Sequence, residues 1–173
     1  MNRTRIVVAD PLRIFRTGVA NLLARESDFE VVEVGSLVEL AEAIGPGDRC
    51  PDLALIDVDL PPLGGVGAVR ELARRCNTHM ILWSLRPSRD EVLDGIRAGA
   101  HGFLHKEISG AGLMRALRGA VQGEAPLARD LATLMIDALH GVEERTEALE
   151  RASVLSSRER QVLDLIAGGA RNR

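Results

Sequence analysis

Residues 5–25, RIVVADPLRIFRTGVANLLAR, change their period partway along. The opening run, Arg5 to Ala9, is short and almost unbroken in its apolar character, as a strand buried on both faces requires. From residue 12 to 25 the apolar side chains recur at helical spacing instead. The junction between the two patterns is Asp10-Pro11.

The same alternation repeats along the chain. FEVVEVG (29–35) precedes SLVELAEAI (36–44), and DLALID (52–57) precedes GVGAVRELARRC (65–76). HMILWS (79–84) precedes SRDEVLDGIRAGA (88–100), and HGFLH (101–105) precedes SGAGLMRALRGAVQ (109–122). Five strand–helix units in succession predict an α/β fold with a parallel sheet covered on both faces. Right-handed crossovers make it doubly wound.

Composition narrows the class. The 173 residues are 46% hydrophobic, enough for a substantial core, but only 2% aromatic, so that core is built from Val, Leu, Ile and Ala. A net charge of -3 argues against a nucleic-acid-binding surface spread over the whole chain. Cys50 and Cys76 lie far apart without CxxC spacing, which predicts no metal or redox motif and suits a reducing cytoplasm. The first apolar run is too short for a signal peptide and no other run is long enough to span a membrane, so a cytoplasmic location without a membrane partner is expected.

The pattern shifts after Gly123. PLARDLATLMIDALHG (126–141) reads as a helix with Pro126 in its first turn. VEERTEALERAS (142–153) mixes both signs of charge. It reads either as a solvated connector or as part of a helical dimer seam using Leu131, Leu134 and Leu149. In LSSRERQVLDLIAGGARNR (155–173), Ser156 or Ser157 can cap a helix through Ile166, which Gly168-Gly169 would end. One such helix forms no core alone, so an incomplete second domain is expected here.

Ligands of open α/β sheets sit beyond the carboxyl ends of the strands. The first strand ends in Asp10, the third in Asp57 and the fourth in Ser84; Lys106 follows the fifth. Two acids, a hydroxyl and an ammonium at one sheet edge suit a Mg²⁺-assisted phosphoryl site. Carboxylates hold the metal or act as nucleophile, and the hydroxyl and ammonium bind phosphoryl oxygens.

At these residues the chain resembles response regulators of the NarL/FixJ type: a receiver domain followed by a LuxR-type helix-turn-helix. The blocks LALIDVDLPPLGG, RAGAHGFLHKE and LSSRERQVLDLIAGGARNR carry the likeness. The resemblance implies a flavodoxin-like receiver with strand order 2-1-3-4-5 over residues 1–123. It further implies a helical linker over 124–153 and the start of the DNA-binding domain over 154–173, with the recognition helix absent. It places the phosphoacceptor at Asp57 and the metal among Asp10, Asp57 and the backbone carbonyl of Asp59. The loop proline and glycine fall at Pro61 and Gly65, the switch hydroxyl at Ser84, the lysine at Lys106 and the switch aromatic at Phe103. A histidine kinase, DNA for the full-length protein and a second copy of the chain are the implied partners, and transcription regulation is the implied role.

Three positions depart from that pattern. Pro11 stands where a second, metal-contacting acid is usual, which weakens any Mg²⁺ site. Leu85 replaces a small residue beside the pocket, and Arg13 replaces a common proline; it reads as a solvated side chain or, as the alternative, as one that reaches Asp57 and stands in for the metal's charge. Asp10-Pro11 also reads as a helix start, with Asp as N-cap and Pro at the first helical position. Two switching modes therefore stay open: phosphorylation at Asp57, or an atypical receiver that works without Mg²⁺-dependent phosphorylation. A remote alternative is a phosphatase of the haloacid dehalogenase type, from the DxD in IDVDLPP, although that loop here follows the third strand rather than the first. Another is a stand-alone receiver or interaction module that never binds DNA. His79, His101, His105 and His140 show no metal-ligand spacing and read as surface or strand-end residues.

Overall fold

The computed structural model describes residues 3–44 and 50–138. The helix expected at Ser156–Ile166, the charged stretch 142–153 and His140 lie outside the described residues. The chain divides into two compact units, Met1–Ala132 and Thr133–Arg173, and residues 133–138 of the second are helical.

Among the described residues of the first unit, ahead of the helical residues that begin at Arg129, five strands alternate strictly with five helices. They are β1 (Thr4–Ala9), α1 (Arg13–Leu23), β2 (Phe29–Val34), α2 (Leu37–Ile44), β3 (Leu53–Asp57), α3 (Gly64–Ala73), β4 (His79–Ser84), α4 (Arg89–Ala98), β5 (Gly102–His105) and α5 (Gly110–Val121). All strand pairs are parallel and the order is β2-β1-β3-β4-β5, as expected for a doubly wound sheet. The register Ala9↔Ile56 and Asp57↔Trp83 brings the ends of β1, β3 and β4 to one edge.

The two-residue period of the strands sorts side chains onto two cores. Ile6, Val8, Leu53, Leu55, Ile81 and Trp83 meet Val19 and Leu23 of α1 and Leu113 and Leu117 of α5. On the other face Leu82 and Phe103 approach Gly95 of α4, and Leu82 also approaches Gly65 of α3. Every residue of β3 is buried, which explains its uninterrupted apolar reading. Helix starts follow local chemistry: Ser88 and Glu91 form a reciprocal capping box on α4, and Ser109 Oγ accepts the Gly112 N–H at 3.1 Å on α5. Gly99 ends α4 at φ 108°, a left-handed conformation that favours glycine.

Three local expectations need correction. Pro11 is not the first helical residue: α1 begins at Arg13, and Leu12 is extended at φ -81° and ψ 95°. Asp10 still serves the junction, because its Oδ1 accepts the Leu12 N–H at 2.8 Å. Pro126 is not in a helix turn either; helical residues begin at Arg129. Pro126-Leu127 instead runs alongside β5, where the Phe103 N–H donates to Pro126 O at 2.9 Å and the Ala128 N–H to Phe103 O at 3.4 Å. Gly102 makes this approach possible, since a Cβ there would lie 2.4 Å from Pro126 O. Finally, Cys50 and Cys76 are not separate thiols: they form a disulfide with Cα atoms 5.7 Å apart. The strand–helix unit between them brings its own ends together.

Candidate functional site

The carboxyl edge of the sheet opens into a cleft of about 460 Å³ lined by Pro11, Asp57, Asp59, Ser84, Leu85 and Lys106, among others. Asp10 and Asp57 are fully buried at 0% and 2% exposure, and Ser84 and Lys106 are buried beside them. Ions are retained at such positions only when paired.

Lys106 supplies the pairing. Its Nζ lies 2.6 Å from Asp10 Oδ2 and 2.5 Å from Asp57 Oδ2, so one ammonium bridges two carboxylates. The other oxygens are engaged as well: Asp10 Oδ1 accepts from Leu12 N–H, and Asp57 Oδ1 accepts from Asp59 N–H at 2.9 Å. Burial raises the Asp57 carboxyl above the usual carboxylate range. Lys106 and the Asp59 N–H pull it back down, and the Asp10 charge adds to the rise.

Two aromatic rings complete the lysine's surroundings. Its Nζ sits 4.9 Å from the Phe15 ring centre and 5.4 Å from that of Trp83. The rings are 5.1 Å apart and tilted, so the ammonium rests over an aromatic pair. Sequence reasoning missed both. Phe15 looked like one more core position of an amphipathic helix; the available signal was a tryptophan directly before Ser84 in a chain with so few aromatics. Arg16 was missed too: its guanidinium donates to the Asp10 carbonyl and lies 3.7 Å from Glu33, fixing the end of β1.

The structure thus brings together Asp10, Asp57, Ser84 and Lys106 as their strand-end positions predict. Ser84 Oγ accepts the Arg86 N–H at 3.3 Å, which steadies the hydroxyl at the cleft. Gly65 lets α3 start hard against Asp57, because a Cβ would meet the Asp57 carbonyl at 2.3 Å. Phe103 is fully buried on β5, facing α4. Leu85 is exposed at the cleft rim. Arg13 is exposed on α1, as its solvated reading expects, and the ammonium beside Asp57 is that of Lys106.

These donors do not make a good Mg²⁺ centre. Mg²⁺ demands near-octahedral oxygen ligation and dehydrates reluctantly. Here both carboxylates share an ammonium, each remaining oxygen holds a backbone N–H, and Pro11 contributes no side-chain oxygen. Among the described residues no group of three or more His, Cys, Asp or Glu is arranged to hold a metal ion. No helix among them is long and apolar enough to cross a membrane.

Comparison with known proteins agrees with this architecture. Residues 6–118 match the response regulator receiver domain family. The chain is 32% identical over 98% of its length to the DNA-binding transcriptional activator DevR/DosR of Mycobacterium tuberculosis, covering 76% of that protein. It is 30% identical over 97% of its length to the nitrate/nitrite response regulator NarL of Escherichia coli, covering 77% of it. Among solved structures, the signal receiver domain of a NarL response regulator from Mycobacterium tuberculosis superposes with a TM-score of 0.66 at 26% identity, covering 72% of this chain and 100% of that domain.

Proposed function

We propose, since this chain belongs to the response regulator receiver domain family, that it controls transcription by changing state at Asp57, with Lys106 rather than a bound cation as the resident positive charge. Transcriptional control as a two-component response regulator of the NarL/LuxR type is the role of its relatives. The observation that carries the finer reading is the Lys106 bridge between Asp10 and Asp57. A phosphoryl group entering on Asp57 displaces that bridge. The Asp57 carboxylate attacks phosphorus, the phosphohistidine nitrogen leaves, and an acyl phosphate forms. Lys106 then turns toward the new oxygens, and Ser84 meets them from β4. The chemistry is phosphoryl acceptance rather than turnover: the DxD of Asp57 and Asp59 follows the third strand of this sheet, unlike a phosphatase loop.

From β5 the change has a short route outward. Phe103, three residues before Lys106, is hydrogen-bonded through its backbone to Pro126 and Ala128. His105 Nε2 lies 2.8 Å from Asp130 Oδ2. The receiver's output therefore leaves through residues 124–132, which belong to its compact unit. In this reading residues 124–153 link the receiver to a DNA-binding domain beginning near residue 154, and a histidine kinase, DNA and a second copy of the chain are the partners.

A second reading keeps Mg²⁺-assisted phosphorylation, typical of receiver domains. Intact Asp57, Ser84 and Lys106 around an open cleft support it. Incubating the chain with a small phosphodonor, with and without Mg²⁺, separates the two. The first reading expects Asp57 labelling that is slow and indifferent to Mg²⁺, and Mg²⁺-dependent labelling in a Pro11→Asp variant. Stoichiometric, strictly Mg²⁺-dependent labelling of the unaltered chain establishes the second reading and overturns the first.

A further inference from the structure

We propose that Cys50 and Cys76 are a modification site: a thiol pair that hydroperoxides convert reversibly into a disulfide, clamping the strand–helix unit that carries Asp57. The inference is independent of how Asp57 is charged or phosphorylated.

The geometry supplies the pairing. Cys50 lies just ahead of β3 and Cys76 just beyond α3, 26 residues apart in sequence yet bonded in space. Their neighbours hold these two segments together without help from sulfur. Thr78 Oγ1 donates to Pro51 O at 2.7 Å in a buried contact, and His79 N–H donates to Asp52 O at 3.0 Å. The reduced thiols therefore stay opposed, and bond formation needs no search. Both residues are half-buried, so a small oxidant reaches them.

The thiolate is the nucleophile in such an oxidation. Cys76 stands at the carboxyl end of α3, where the helix dipole works against an anion. Cys50 lies off the helix, with its Sγ 3.9 Å from the Arg75 carbonyl, and is assigned as the attacking thiolate.

The step balances with a peroxide as oxidant. The Cys50 thiolate attacks one peroxide oxygen, the O–O bond breaks, and a sulfenic acid and an alcohol or water result. The Cys76 thiol attacks the sulfenic sulfur, the S–S bond forms and water leaves. Two sulfurs give up one electron each and the peroxide takes both. A dithiol reverses the change by exchange.

The bond lies at the end of the β3–α3 unit opposite Asp57. At the near end, the Gly65 N–H already donates to Val58 O at 2.8 Å, and Gly65 packs on the Asp57 carbonyl. Oxidation fixes the far end too, leaving α3 tied to β3 at both ends.

The test uses the full 173-residue chain, reduced with dithiothreitol, desalted and exposed to hydrogen peroxide at the protein's own concentration. Denaturing alkylation and intact mass then count free thiols. The expected result is two adducts before peroxide, none after, a product two hydrogens lighter with a Cys50–Cys76 cross-linked peptide, and two adducts again after dithiothreitol. A Cys76→Ser chain should instead accumulate a dimedone-reactive sulfenic acid at Cys50. Two adducts persisting after excess peroxide, over-oxidation without a cross-link, or a bond that dithiothreitol cannot open in the folded chain each overturn the proposal. The oxidised form should also melt higher, by on the order of 10 °C; equal melting of the two forms overturns the clamp.

Discussion

Replacing Lys106 with methionine isolates what the ammonium does. Methionine keeps most of the stem's volume against Phe15 and Trp83 but removes the charge that Asp10 and Asp57 share. All three groups are almost completely shielded from solvent, at 0%, 2% and 8% exposure for Asp10, Asp57 and Lys106, so water offers little screening. Removing one partner of a buried ion pair costs about 3–5 kcal/mol. The loss at pH 7 is therefore set at about 4 kcal/mol, a large part of the stability of a domain this size.

The sign of its pH dependence follows. Without Lys106 the Asp57 carboxyl, already raised by burial, loses the ammonium that pulls it back down and rises further above its unfolded value. A raised folded pKa leaves stability intact below the unfolded value and removes it as pH climbs through the folded value. The deficit relative to the parent should thus be smaller at pH 5 than at pH 7. Trp83 is the chain's single tryptophan, so urea unfolding followed by its fluorescence measures both variants at both pH values. A deficit under about 1 kcal/mol that is the same at pH 7 and pH 5 would refute the bridging role.

Other substitutions probe the frame around the pocket. Gly65→Ala should cost about 3 kcal/mol, since its Cβ meets backbone rather than a yielding side chain; a thermal melt unchanged from the parent would contradict the close approach. His101 has its pKa held below the usual 6.5, by burial first and the neighbouring His79 second. The unfolded chain consequently takes up that proton first as pH falls. The contribution is complete above about 6.5 and is lost as pH drops through the folded value. His101→Asn keeps an acceptor for the Met80 N–H and should flatten the melting profile between about pH 7.5 and pH 5.5; a profile parallel to the parent's counts against the assignment. Gly102→Ala should push Pro126 off β5 and speed hydrogen exchange at the Phe103 and Ala128 amides, with unchanged exchange there as the contrary result.

The sheet was legible because its central strands are covered on both faces, so LALID reads as one apolar run wherever it is viewed. The pocket's four polar residues were legible because each stands at a strand end. What lay hidden depends on partners distant in sequence. Pro126 looks like a helix start until Phe103 is known to lie beside it. Pro11 is the local exception: it looks like a first helical residue, but the Asp10 side chain holds the Leu12 amide and the helix starts only at Arg13. Cys50 and Cys76 carry no local spacing signal, since only the closure of β3–α3 brings them together. Lys106 was expected to meet an incoming phosphoryl group. Its occupation of both acids beforehand, over Phe15 and Trp83, needs three dimensions to see.

The segment beside β5 has a further consequence for how this sheet meets other chains. An exposed sheet edge is a template on which foreign strands can grow. At one margin β2 guards itself with outward Glu30 and Glu33. At the other, β5 is very short and Phe103 has no backbone group to spare, because the Pro126 carbonyl accepts from its amide and the Ala128 amide donates to its carbonyl. The protein has in effect supplied its own blocking strand. A stranger adding to β5 must first evict residues 126–128, and a change that loosens them exposes a sticky margin as well as releasing the chain beyond.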